Sequence, residues 1–93
     1  MLSLVIMEEK NMVYESTTLN NLFDMAVEAT RDVVPGETYI VRDLFRGFEW
    51  NRIQKGNRTK LGAMYFSYAK TEAPSEIESL GKTPQNQQMY RKK

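Results

Sequence analysis

Seven bases and three short side chains are the residues of this chain best equipped for chemistry. Arg46, Arg52, Lys55, Arg58, Lys60, Lys70 and Lys82 are the bases, and Thr59, Ala63 and Ser67 are the short residues. Most fall within KGNRTKLGAMYFSYAK, residues 55–70. At about 100° per residue, Leu61, Met64, Tyr65 and Tyr68 share one helical stripe, and Thr59, Ala63 and Ser67 lie nearly opposite. Lys60 and Lys70 flank that second face. Short side chains let a helix approach base edges, and flanking cations meet phosphates. The chemistry expected is therefore binding of double-stranded DNA. Arg58 falls in the first turn, where helix-turn-helix proteins commonly touch DNA. Arg46, Arg52 and Lys55 make the preceding turn basic.

Each feature has a plainer alternative. A small-residue face also packs against another element, with Lys60 and Lys70 serving only as solvated edges. Arg58 at a helix start opposes the helix dipole and can instead pair with Asp43 or Glu49. Phe66 and Trp50 are expected to complete the core before they stack on a base.

Catalysis is not expected. The chain has no histidine and no cysteine, which removes the commonest general base, the commonest metal ligand and every disulfide. It has no Gly-rich phosphate loop, no nucleophile motif and no calcium-loop register. The EEK and EIE stretches read as solvated charge. No cofactor and no metal is expected.

Charge is unevenly distributed. Residues 1–45 hold three bases against eight acids, whereas residues 46–93 hold ten against four, within a net charge of +1. Such asymmetry is a hint of a polyanion partner, although two halves attracting each other across a fold would also produce it. The opening MLSLVIMEEK has a short apolar run without a basic start, too short for a signal peptide or a membrane span. A cytoplasmic protein with no membrane partner is expected. Residues 1–17 are read as a tail or extra strand, with a helper role in self-association as the alternative, and residues 18–93 as one domain; Met7 and Met12 are alternative starts.

Stepping along that domain, Ser16, Thr17 or Thr18 can cap a first helix over about 18–33, with Leu19, Leu22, Phe23, Ala26, Thr30 and Val33 on its apolar side. Pro35 and Gly36 end it. ETYIV (37–41) has the composition of a strand. Asp43 is expected to cap a short helix beginning at Leu44, with Gly47 inside it and Phe45, Phe48, Trp50 and Ile53 continuing its apolar pattern. Gly56 is read as a turn and Asn57 as the cap of a third helix over 58–71. Pro74 closes that helix. EIESL (76–80) and QQMYRK (87–92) pair across GKTPQN, whose Gly81, Pro84 and Asn86 have turn chemistry. Ile77, Met89 and Tyr90 are expected to point inward.

The order α-β-α-α-β-β, with a small antiparallel sheet joining ETYIV to the hairpin, predicts an α+β winged helix-turn-helix. A lone hairpin without the third strand would be marginal. Lys82 at the hairpin tip, with Arg91, Lys92 and Lys93 at the end, would make the hairpin a wing that holds phosphates without reading sequence.

Gly36, Asp43-Leu44-Phe45, Trp50, Arg58, Leu61-Gly62 and Phe66 carry a pattern of strand, DLF, tryptophan, then arginine and LG before an aromatic. This resembles a small uncharacterised family, a domain of unknown function from Gram-positive bacteria and their phages. Asn86 and Tyr90 resemble its closing motif. The resemblance spans about residues 19–92 and implies a winged-helix-like fold without supplying an activity. The expected function is a small DNA-binding module, a transcriptional regulator with its third helix in the major groove. The alternative is a protein–protein interaction module on the same scaffold. A homodimer is compatible with either.

Overall fold

The computed structural model describes residues 12–93. The tail or extra strand expected over 1–17 falls outside the described residues as far as residue 11. Three α-helices and a three-stranded antiparallel sheet follow in the order α-β-α-α-β-β, the α+β layout expected.

Helix α1 spans Leu19–Thr30. Its cap is Thr18, whose Oγ1 accepts the Asn21 amide at 3.2 Å. Leu22, Ala26 and Thr30 are buried along one side. The helix stops three residues before the expected end because its last turn tightens. Arg31, Asp32 and Val33 donate their amides to the third carbonyl behind them, closing 3₁₀-type rings. Lys92 Nζ caps this end, donating to the Thr30 carbonyl at 2.8 Å and the Val33 carbonyl at 3.3 Å. Gly36 then turns the chain with φ of 96°, a left-handed conformation open to glycine.

Strand β1 is only Thr38–Tyr39, shorter than the expected 37–41. Asp43 explains the difference. Its Oδ2 accepts the Ile40 amide at 3.0 Å and bends Val41–Leu44 into a 3₁₀ turn. Asp43 thus reaches back to end the strand and does not cap a helix at Leu44. Helix α2 begins later, at Gly47–Arg52, so Gly47 is its first residue and not an interior one.

A two-residue link, Ile53-Gln54, leads directly into α3, Lys55–Thr71. Gly56 and Asn57 therefore lie inside its first turn; neither makes the turn nor the cap. Buried Ile53, 4% exposed, provides the reason: its anchorage fixes the bend at Ile53-Gln54, ahead of the glycine. Helix α3 buries Leu61, Tyr65 and Ala69, with Met64 and Tyr68 half-buried beside them.

Strands β2 (Ile77–Lys82) and β3 (Gln88–Lys92) form the hairpin, and β3 lies in the middle of the sheet. The register sets Tyr39 opposite Tyr90 and Ser79 opposite Tyr90 on the other side. A bulge between Ser79 and Gly81, with Gly81 at φ 87°, shifts the rest of β2 by one residue. Ile77 and Tyr90 are buried as expected, and Met89 is half-buried. Among the described residues no helix is long and apolar enough to cross a membrane.

The elements meet at Tyr65. Its ring lies edge-on to Tyr90 at 5.1 Å and to Tyr39 at 6.4 Å between centroids. Its hydroxyl is 2.7 Å from Thr30 Oγ1 and 2.8 Å from the Tyr39 hydroxyl. Thr30 donates its single hydroxyl proton to the Ala26 carbonyl at 2.8 Å, so it accepts from Tyr65, which in turn accepts from Tyr39. One directed chain joins β1, α3 and α1. Tyr65→Phe breaks it in the middle and strands the buried Tyr39 hydroxyl, so urea denaturation is expected to show a loss of about 1–3 kcal/mol.

Burial holds the Tyr39, Tyr65 and Tyr90 hydroxyls protonated above the ordinary tyrosine range. The unfolded chain releases such protons near pH ~10, while the folded chain keeps them. Stability is then intact below about pH 10 and is lost above it, with a slope of about 1.4 kcal/mol per pH unit for each such tyrosine. Urea midpoints measured across the alkaline range should stay level and then fall, with tyrosinate absorbance appearing together with unfolding.

Candidate nucleic-acid interface

The outer face of α3 is exposed at Thr59, Lys60, Ala63, Ser67 and Lys70. The helix phase produces this: Leu61, Tyr65 and Ala69 turn inward, so the short residues turn outward. None of the five is packed under another element. Lys70 Nζ sits 5.0 Å over the Phe66 ring, which holds it beside the ridge.

Alongside this ridge runs a groove of about 750 Å³ between α3 and the hairpin. Lys55, Arg58, Thr59, Gly62, Ala63 and Phe66 form its α3 wall. Lys82 and Asn86 to Gln88 form the hairpin wall, and Arg42 and Trp50 contribute from the 3₁₀ turn and α2. Its lining has four bases, Arg42, Lys55, Arg58 and Lys82, and no acid. Lys82, twelve residues beyond Lys70, is brought to the α3 side by the hairpin closure, in which Thr83 and Gln87 bond across the turn at 2.8 Å.

Arg58 pairs with neither Asp43 nor Glu49. Its Nη2 donates to the Trp50 carbonyl at 3.0 Å, and its guanidinium lies 5.3 Å over the Trp50 ring. It fastens the start of α3 to α2 and still faces the groove. Trp50 and Phe66 are both half-buried against the core, so each has one side in the core and one toward the groove.

Arg46 and Arg52 are engaged elsewhere. Arg46 Nε donates to Glu49 Oε1 at 2.7 Å, and Arg52 Nη1 donates to the Val13 carbonyl at 2.7 Å. Phe48, half exposed, lies 5.2 Å from the Arg46 guanidinium and 5.0 Å from that of Arg52. Glu49 Oε2 accepts the Val13 amide at 2.7 Å, and the Val13 side chain is 1% exposed. Together Glu49 and Arg52 hold both polar groups of Val13 and bring the segment before α1 into the core. Burial pushes the Glu49 carboxyl up, but Arg46, the Val13 amide and Arg52 outweigh it and leave the group below its ordinary range.

The terminal cations are occupied too. Arg91 bridges to Glu78 at 3.1 Å, Lys92 caps α1, and Lys93 donates to the Pro74 carbonyl at 2.7 Å. Of the ten residues expected at the interface, Lys55, Arg58, Thr59, Ala63 and Lys82 line the groove, whereas Lys60, Ser67 and Lys70 are exposed on α3 outside its lining. Arg46 and Arg52 do not join them. Arg42 was not anticipated; it stands beside Asp43 in VRDL, and only the 3₁₀ turn aims that segment at the groove.

Residues 18–92 match a family described as Domain of unknown function (DUF1413). No curated protein and no solved structure matches the chain.

Glu49→Ala leaves the buried Val13 amide without an acceptor and should cost about 1–3 kcal/mol in urea denaturation. Hydrogen exchange at the Val13 amide should accelerate far more than exchange in the hairpin. Because the Glu49 carboxyl is lowered in the folded state, this contribution is present above about pH 4.5 and fades as the pH falls further.

Proposed function

The chain belongs to the DUF1413 family, and we propose that it is a non-enzymatic DNA-binding module of winged-helix type. In this reading α3 enters the major groove, and the hairpin acts as a wing against the neighbouring backbone. One observation carries it: four bases from three separate elements line a groove without an acid, directly beside an exposed ridge of Thr59, Ala63 and Ser67. The ridge is slim enough to approach base edges in a major groove about 12 Å wide. Lys60 and Lys70 on the helix and Lys55, Arg58 and Lys82 around the groove supply phosphate contacts.

A second reading, docking of a protein partner, draws on a different surface. Phe48 and Tyr14 are exposed at 50% and 55%, and Arg46 and Arg52 stack between and beside them. Aromatics and arginines are common anchors at protein interfaces. This patch is built from the two arginines expected at the interface that do not line the groove.

Fluorescence anisotropy with mixed-sequence duplex DNA at low and moderate salt separates the readings. Binding that weakens steeply with salt is expected. Lys60→Glu with Lys70→Glu should reduce affinity by at least about tenfold at low salt, whereas Arg46→Ala and Asp24→Asn should leave it within about twofold. Absence of binding at low salt overturns the DNA reading, because phosphate contacts are strongest there.

A further inference from the structure

We propose that the groove between α3 and the hairpin is a binding site for a small anion with a planar apolar body, an aryl phosphate or aryl carboxylate. This does not rest on the DNA reading. A phosphate in a duplex backbone needs only a convex basic surface, whereas this groove is concave and holds about 750 Å³, within the range of small-ligand sites of roughly 300–1,000 Å³.

The lining divides into two chemistries. Trp50 and Phe66 offer ring surface, and Gly62 opens the α3 wall between Arg58 and Phe66. A Cβ built on Gly62 would meet nothing within 4 Å, so the missing side chain leaves real space. Arg42, Lys55, Arg58 and Lys82 add positive charge that no carboxylate in the lining offsets. A planar body against the rings, with its anionic group toward the bases, satisfies both.

Two buried donors give the site its direction. Among the described residues, Arg58 Nε and the Tyr90 hydroxyl are buried without a hydrogen-bond partner, and both belong to this lining. Tyr90 as a whole is 0% exposed. Such orphans are uncommon, and each calls for an acceptor that the described residues do not provide. Arg58 is also prepositioned, fixed through Nη2 to the Trp50 carbonyl and covered by the Trp50 ring at 5.3 Å. A phosphate or carboxylate oxygen is the acceptor that suits a guanidinium edge. Its arrival must disturb the Trp50 ring stacked against this guanidinium.

Trp50 is the only tryptophan, so its fluorescence reports on the groove directly. The full chain is titrated, without DNA, with phenyl phosphate, inorganic phosphate and benzyl alcohol, under excitation that the phenyl ring does not absorb. Saturable change is expected with phenyl phosphate at a Kd on the order of 1 mM, as suits a fragment of that size. Inorganic phosphate and benzyl alcohol should each bind at least about tenfold more weakly, since each lacks one of the two chemistries. Gly62→Leu fills the space and should abolish the response while circular dichroism stays unchanged. In the unaltered chain, amide NMR shifts caused by phenyl phosphate should centre on Gly62, Asn86 and Gln88.

The proposal is overturned if phenyl phosphate gives no saturable change, or if its NMR shifts centre elsewhere. Inorganic phosphate binding as tightly as phenyl phosphate also overturns it, leaving an ion site only. Equal binding of benzyl alcohol reduces the groove to an apolar cleft and sinks the anionic assignment. Unchanged binding by a folded Gly62→Leu chain puts the ligand outside the groove. Since DNA is absent throughout, none of these outcomes bears on duplex binding.

Discussion

The packing of Tyr65 is the constraint from which the rest of the molecule follows. Its ring is fully buried among Tyr39, Tyr68 and Tyr90, and its hydroxyl lies between those of Tyr39 and Thr30. A tyrosine hydroxyl taken out of water is costly without partners, and this rotation of α3 offers Tyr65 two. Apolar burial alone would tolerate several rotations, since Met64, Tyr65 and Tyr68 could exchange places at modest cost. The hydrogen-bonded chain favours this one. It also fixes β1 to β3, because Tyr39 and Tyr90 are register partners and stack at 5.6 Å.

Fixing the rotation of α3 decides what faces outward. With Tyr65 inward, Thr59, Ala63 and Ser67 are outward, and Gly62 and Phe66 stand at the flank next to the hairpin. A turn of the helix by one residue, about 100°, would bury the ridge and expose part of the aromatic stripe. The same core interaction that stabilises the domain therefore defines the groove and the ridge. The hairpin depends on it too: Tyr90 anchors β3 beneath α3, and the bulge at Gly81 then carries Lys82 to the groove.

The helical stripe of residues 61–68, the cap at Thr18, the stop at Pro74 and the hairpin over GKTPQN were legible because each rests on local chemistry. Gly56 and Asn57 were misread for the opposite reason. They have turn and cap chemistry, but Ile53 is buried, and this long-range contact moves the bend to Ile53-Gln54. Asp43 was read as a helix cap facing forward, whereas it bonds backward to Ile40 and shortens β1. Of the basic residues, sequence conveys sign but not commitment. Arg46 and Arg52 look the same as Lys55 on paper, yet Glu49 and Val13 claim them, and nothing local to EWNR points to Val13. Arg58 was read as touching DNA, with an acid partner as the alternative; a carbonyl and an indole ring hold it, and no acid does.

That commitment of charges explains how a chain with net charge near zero keeps a basic groove. Glu28 faces Arg31, Glu49 holds Arg46, and Glu78 bridges to Arg91. Asp43 and Glu37 are spent on backbone amides, at Ile40 and Val34. The three paired acids are matched within their own neighbourhoods, whereas Asp43, bonded to Ile40 in the groove lining, lies within the screening length of about 8 Å at physiological salt and offsets part of the charge there. Arg42, Lys55, Arg58 and Lys82 are left to sum their potentials over one concave, partly apolar surface. Such a surface focuses the field, because low-dielectric walls confine the field lines that open solvent would disperse. Global neutrality and local attraction for anions are therefore compatible, and the distribution of acids is as much part of the groove as the bases that line it.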